Sequence, residues 1–248
     1  MILTIAHKEF RSLFILPSTW LILAALQFIF AWFFLARLDA FIQVQAQLAQ
    51  LADPFGATLA VAAPLFGILA LILMMLTPIF TMRLIAEERR NQTLTLLMSS
   101  PVSDSHIVLG KFTGLMLFLL LIIASCSLMV LTLAAGTQLD TGLLLTNALG
   151  LVLLVASYVA LGLYISSLTA QPVVAAIGAL AIFFGLWLIE VSAVDHDNTW
   201  RALAPTSHFQ SFNNGLLNST DMLFFLLFST AFLLLTIRRL HNNRIYSQ

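Results

Sequence analysis

Glu87-Glu88-Arg89-Arg90-Asn91-Gln92-Thr93-Leu94-Thr95-Leu96-Leu97-Met98-Ser99-Ser100-Pro101, running on through Val102-Ser103-Asp104 to Gly110-Lys111, is the densest cluster of charge in a chain that is only 9% charged. It stands between two long apolar runs, so it reads as a loop between membrane spans. Leu94, Leu97 and Met98 recur at i, i+3 and i+4, which puts them on one face of a short helix. Pro101 ends that helix, and Ser103 or Asp104 is suited to cap the next one. The pattern predicts a short amphipathic helix over 87–101, held across the end of a span with its apolar face directed outside the membrane. Thr93 and the four charged residues Glu87, Glu88, Arg89 and Arg90 then fall at the rim of that face.

The rest of the chain places this loop in a bilayer. Of 248 residues, 60% are hydrophobic and the mean hydropathy is +1.01, well above globular usage. Formal net charge is zero, with 11 basic and 11 acidic residues, so there is no electrostatic footprint for nucleic acid. The single cysteine, Cys126, sits mid-span in ASCSLMV and reads as a buried apolar residue with no disulfide or metal to serve. Lys8, Glu9 and Arg11 interrupt the first twelve residues, and no small-residue cleavage site follows, so the N-terminus does not read as a cleavable signal.

We read six spans in one transmembrane domain over 1–248, at about 17–36, 57–82, 109–135, 143–165, 173–189 and 222–237, each near the ~20 residues a bilayer needs. Ahead of them, residues 1–13 form a candidate interfacial helix. Leu3, Ala6, Phe10 and Leu13 fall on one face of it and Thr4, His7, Lys8 and Arg11 on the other. Phe41, Val44, Leu48 and Leu51 continue at helical spacing beyond span one, predicting an outer amphipathic helix, or an extension of the first span, stopped by Asp53-Pro54. Span two contains Pro64 and Pro78, each expected to kink it; Pro78, two turns before Glu87, is the candidate hinge. Gly110 and Gly114 form a GxxxG pair suited to close helix contact. The stretch 190–221 is acidic and interleaves Glu190, Trp200, Phe209 and Phe212 with polar residues. Those three aromatics are expected to dip into the membrane or a dimer seam. Glu190 is expected to be an interfacial carboxylate in water, with pairing to Arg201 or lining of an exit as the other options.

Basic residues set the orientation. With both termini cytoplasmic, nine of the 11 basic residues fall in inside segments and only Arg37 and Arg201 outside, a clear positive-inside bias. The chain is therefore expected in a bacterial cytoplasmic (inner) membrane, with the opening stretch facing the cytoplasm.

The residues 87–112, EERRNQTLTLLMSSPVSDSHIVLGKF, resemble the signature of the type-2 family of ABC-transporter permeases, most closely its gliding-motility GldF-type branch. The shared features are a two-Glu and basic start, a Thr-Leu-x-Leu-Leu core, a Ser-Pro turn and a Gly-Lys-Phe exit. This chain has Asn91-Gln92 where the family pattern has a glycine before the Thr. The tail 208–244, HFQSFNNGLLNSTDMLFFLLFSTAFLLLTIRRLHNNR, resembles the same branch. The resemblance implies an all-α polytopic fold of the type-2 exporter kind: an N-terminal interfacial helix, six transmembrane helices, a cytoplasmic coupling helix and short outer re-entrant helices. It also implies that the coupling helix docks on a separate ABC ATP-binding subunit, that two permease copies form the pathway amid membrane lipid, and that an auxiliary extracytoplasmic subunit can accompany them.

Catalytic motifs are missing from the sequence. Gly110-Lys111 is followed by Phe112 and preceded by Ser105 rather than Gly, so it fails the P-loop pattern. No cofactor is expected in this chain; ATP and Mg belong to the partner ATPase. The five histidines, His7, His106, His196, His208 and His241, are scattered near span ends, and no span centre carries an ionisable residue of the sort that marks an ion path. The reading is a non-catalytic exporter subunit moved by helix tilting. The other reading is an ATP-driven complex that passes no substrate and transmits force to an external protein through Phe41–Leu51 and Asp195–Thr220.

Overall fold

Apolar runs in a bilayer fold as helices because nothing else there can satisfy the backbone. The structure, a computed structural model, describes residues 1–48, 58–93, 102–135, 139–192 and 202–246. Among them every regular element is helical. We number these α1 (Ile2–Ile15), α2 (Pro17–Leu48), α3 (Ala63–Met82), α4 (Asp104–Leu131), α5 (Thr141–Leu168), α6 (Pro172–Ser192), α7 (Pro205–Asn213) and α8 (Ser219–Tyr246). π-helical turns at Thr58–Ala62 and Arg83–Glu87, then the turn Glu88–Arg90, extend α3 at its two ends.

Six helices are long and apolar enough to cross a membrane: Pro17–Gln43, Thr58–Arg90, Asp104–Ala134, Thr141–Leu168, Pro172–Ser192 and Ser219–Asn242. This matches the number of spans read from the sequence, but the helices run past the apolar cores that announced them. Polar residues at a span end stay helical because their backbone bonds still need partners. Arg238 and Arg239 therefore lie inside α8 rather than ending it. The described part of the expected outer helix at Phe41 is likewise the continuation of α2; Leu51 and Asp53-Pro54 lie outside the described residues.

The bundle is organised around α5. In α5, 67% of the apolar stretch is buried, against 17% in α2 and 22% in α6 and in α8. Asp140 starts α5 as an N-cap, accepting from the backbone N–H of Gly142 and Leu143 at 2.9 and 3.2 Å. Gly162 brings α3 close: a Cβ there would stand 2.5 Å from Thr81 Oγ1. α2 lies at the edge with Trp20, Leu21, Phe28 and Trp32 exposed. Gln27 ties it inward: its Oε1 accepts from Ser125 Oγ of α4 at 3.4 Å and from Cys126 Sγ at 3.8 Å, and its Nε2 faces Met129 Sδ at 3.9 Å. Cys126 is buried beside it, as its setting predicted.

Two expectations for individual residues are corrected. Pro64 stands in the first turn of α3, just past a π turn; a proline there removes no interior α-helical bond. Pro78 alone is inside the helix. Leu3, assigned to the buried face of α1, is 81% exposed, whereas Ala6 and Leu13 are buried. The reason is the partner: α1 lies on α4 at Gly110 and Gly114, where a Cβ would come within 2.7 Å of Ile5 Cβ and 2.8 Å of the Ala6 carbonyl. The GxxxG pair therefore receives the N-terminal helix, not another span.

Candidate functional site

Two polar regions stand at opposite ends of the bundle. We call the end holding Arg90 basal and the end holding α7 distal.

At the basal end the α3 helix does not stop at Met82. It continues through Glu87 and Glu88–Arg90 and terminates at Gln92, whose φ of 58° is left-handed. The Asn91 and Gln92 N–H groups donate to the Glu87 and Arg89 carbonyls at 2.9 and 3.2 Å. This is a C-terminal cap of the kind glycine favours, and Gln92 occupies the position where the resembling permeases carry glycine. Glu87 to Arg90 are thus the end of span two rather than the start of a separate helix. Arg90 to Thr93 are exposed. Leu94, Leu97, Met98 and Pro101, the apolar stripe and its terminator, lie outside the described residues.

The widened turn at Arg83–Glu87 is held from α5. Ser166 Oγ accepts from the Ile85 and Ala86 N–H groups at 3.3 and 3.0 Å and donates to the Met82 carbonyl at 3.2 Å. Arg89 Nη1 donates to the Ser167 carbonyl at 3.2 Å, which satisfies one of the orphan carbonyls at the C-terminus of α5.

Beside this turn is a buried ion cluster. Lys111 of α4 is 1% exposed, and its Nζ lies 2.9 Å from Glu9 Oε1 and 2.7 Å from Glu88 Oε1. Lys8 approaches Glu88 Oε1 at 4.0 Å. Two carboxylates give the buried Lys111 ammonium the counter-charge it requires, and Lys8 balances the second carboxylate from the rim. This revises two sequence expectations. Glu88 is not a free rim charge, and Lys111 is not a free basic residue of the inner loop. One cluster joins α1, the end of span two and α4. Its sequence signal was a lone lysine two residues into an apolar run, and nothing in the sequence pairs it with Glu9. Asp104 and His241 add a further link between α4 and α8, at 3.3 Å.

The distal end is built by α7. Pro205 stands in its first turn. Gly215, at φ +82°, ends it in a Schellman arrangement, with Gly215 N–H to Phe212 O at 3.0 Å and Leu216 N–H to Ser211 O at 2.9 Å. Phe209 and Phe212 are buried. They pack against α5 at Gly150, where a Cβ would stand 2.7 Å from Phe212 Cγ. They are out of water in the chain's own core, not in a membrane face or a dimer seam. A glycine on the central helix supplies the notch. Trp200 and Arg201 lie outside the described residues.

Three polar contacts pin α7. Asn147, fully buried in α5, is placed to donate its amide to the Phe212 and Asn213 carbonyls at 2.9 and 3.0 Å. His208 faces two acceptors, Asp221 Oδ1 at 2.6 Å and the Ala202 carbonyl at 2.9 Å, and stacks on Phe224 with ring centroids 4.0 Å apart. Glu190, at the end of α6, accepts from Gln210 Nε2 at 2.6 Å. Glu190 is 8% exposed, so it is not the solvated interfacial carboxylate expected from the sequence. It lines a cavity of about 410 Å³ with residues from α2, α3, α6 and α7, including Arg37, Ile68, Trp187, Thr206 and Asn213.

Among the described residues no cluster of His, Cys, Asp or Glu could hold a metal. The arrangement provides a continuous helix from span two to the basal surface and a polar-apolar hollow at the other end. Residues 3–243 match the model of the family described as ABC-2 family transporter protein. No curated protein matches the chain. The match covers nearly the whole chain, and with six candidate spans it settles the kind of molecule: the chain belongs to the ABC-2 family of transporter proteins, as a multi-pass permease component that works with an ABC ATP-binding subunit.

Proposed function

We propose that this permease is the transmembrane subunit of an ATP-binding-cassette exporter of the gliding-motility GldF-type branch. Two copies form the pathway in the cytoplasmic membrane of a bacterium, with both termini inside. Separate ATPase subunits, which carry the ATP and Mg, dock on the basal segment 87–101 through Leu94, Leu97 and Met98. Glu87, Arg90 and Thr93 lie at the rim, and Pro101 closes the segment. The observation that carries this reading is the unbroken helix Thr58–Arg90, which delivers exposed Arg90–Thr93 to the basal surface at the point where the apolar stripe begins.

A push on that segment travels up span two. Glu88 and Arg89 couple its end to α1, α4 and α5 through the contacts above. The yielding points are Pro78 and the π turn Arg83–Glu87, since a π turn lacks the regular i→i−4 ladder. The distal cavity, lined from spans one, two and five and from α7, supports a pathway for cargo; a continuous cavity inside the permease dimer would favour export, and a fully packed seam the reading in which force alone is passed to an external protein. An auxiliary extracytoplasmic subunit fits either reading, and the exposed apolar faces of α2, α6 and α8 are available to lipid and to a second permease copy.

The test is co-purification. Burying a leucine is worth about 1.5–3 kcal/mol, so Leu94→Asp or Leu97→Asp is expected to release the ATP-binding subunit while the permease still inserts. If both variants retain the subunit with normal turnover, the docking assignment is wrong.

A further inference from the structure

We propose that the distal cavity recognises a primary ammonium group on an amphiphile, with Glu190 as the charge-selecting residue. The inference rests on the exporter reading and names the chemistry its cargo path would accept.

The argument starts from groups left without partners. Glu190 is 8% exposed and its oxygen is met by an amide, Gln210, not by a cation. It forms no ion pair among the described residues. A carboxylate withdrawn from water without a counter-charge is unfavourable by several kcal/mol, so an entering cation gains what the site lacks. Two more groups on the same wall are buried acceptors with no partner among the described residues, Thr206 Oγ1 and Asn213 Oδ1; Thr206 is only 9% exposed. A primary ammonium has three N–H donors and no acceptor, which matches a carboxylate, a hydroxyl and an amide oxygen.

The remaining walls are apolar. Ile68, Leu71, Trp187 and Phe209 line the cavity, and the two aromatic rings add a face that attracts a cation. The volume, about 410 Å³, falls within the ordinary range of ligand sites, ~300–1,000 Å³. An anionic head is disfavoured, because among the described residues Arg37 is the one cationic side chain on this lining and is itself exposed to solvent.

The amine can come from a bilayer aminolipid or from a soluble amphiphile, and one experiment separates the two. The full-length permease, without ATP-binding subunit, is placed in phosphatidylcholine nanodiscs with Trp20, Trp32 and Trp200 changed to Phe, so that Trp187 reports alone. Octylammonium, octyltrimethylammonium and octanol are titrated. We expect octylammonium to bind about tenfold more tightly than octanol, one charge-assisted contact's worth, with the trimethyl analogue between them. Glu190→Gln is expected to abolish the preference for octylammonium and to leave octanol unchanged, whereas Glu190→Asp keeps the preference. Competition by added phosphatidylethanolamine assigns the site to a lipid amine; octylammonium binding that survives it assigns the site to a soluble one. Equal binding of octylammonium and octanol by the parent protein, or a preference that survives Glu190→Gln, overturns the proposal. Because no ATPase is present, either result leaves the docking test above to stand or fall separately.

Discussion

The basal and distal ends of this bundle each bury carboxylates, and they compensate them in opposite ways. At the basal end Glu9 and Glu88 share Lys111, with Lys8 4.0 Å from Glu88, so three helices are joined by carboxylates paired with cations of the chain, although Glu88 Oε2 has no hydrogen-bond partner among the described residues. At the distal end Glu190 leans on the neutral amide of Gln210, beside acceptors that have no donor among the described residues. A neutralised cluster resists movement, since separating its members exposes each to the full cost of burial. An uncompensated one is receptive. On the proposed function, the contrast would give a charge-locked end to the ATPase and a selective end to cargo.

The most severe way to break this comparison is Lys111→Met. It leaves two partly buried carboxylates with only the exposed Lys8 near one of them and is expected to destabilise the fold by up to about 3 kcal/mol, read as a large fall in the thermal midpoint in detergent. Adding Glu9→Gln and Glu88→Gln to it is expected to restore most of the loss, because an uncharged site has nothing to neutralise. Without that recovery, Lys111 stabilises by packing rather than by charge.

The next largest effect is at the notch that seats α7. Gly150→Leu forces Phe212 out and is expected to cost about 1–3 kcal/mol. It should expose α7 to proteolysis while leaving the basal cluster intact, which limited digestion with mass mapping checks. Loss of both ends together would show that they are one cooperative unit.

Gln92→Gly sharpens the basal half. A left-handed φ costs a non-glycine residue about 1 kcal/mol, so the change is expected to stabilise by up to that amount. Glu190→Gln is expected to cost the fold nothing and to raise the thermal midpoint, since it removes a buried charge that has no counter-charge and the new amide oxygen still accepts from Gln210. A loss as large as that of Lys111→Met would make Glu190 structural and erase the contrast.

How much of this was legible in the sequence follows from the range of each interaction. The six spans, the charge-dense stretch and the buried Cys126 are local patterns of hydropathy and could be read directly. So could the GxxxG pair as a site of close approach, but not its occupant, because α1 is a hundred residues away in the chain. Lys111 with Glu9, Ser166 with the π turn, and Asn147 with the end of α7 all depend on which helices become neighbours. No periodicity encodes that. Gln92 is intermediate. Its departure from the glycine of the resembling permeases was visible, and the left-handed backbone supplies the reason glycine suits the position. Glu190 was misread because exposure was inferred from its place at a span end, before α7 was known to cover it.

The central claim is that the segment after Arg90 meets the ATP-binding subunit while the distal end does not. Photo-crosslinking from native membranes tests it most directly. A photoreactive residue is placed at position 97 or, as the distal counterpart, at Leu203, which is 51% exposed. We expect an adduct with the ATP-binding subunit from position 97 and none from position 203. An adduct from position 203, or none from position 97 in a complex that retains ATP turnover, would contradict the account.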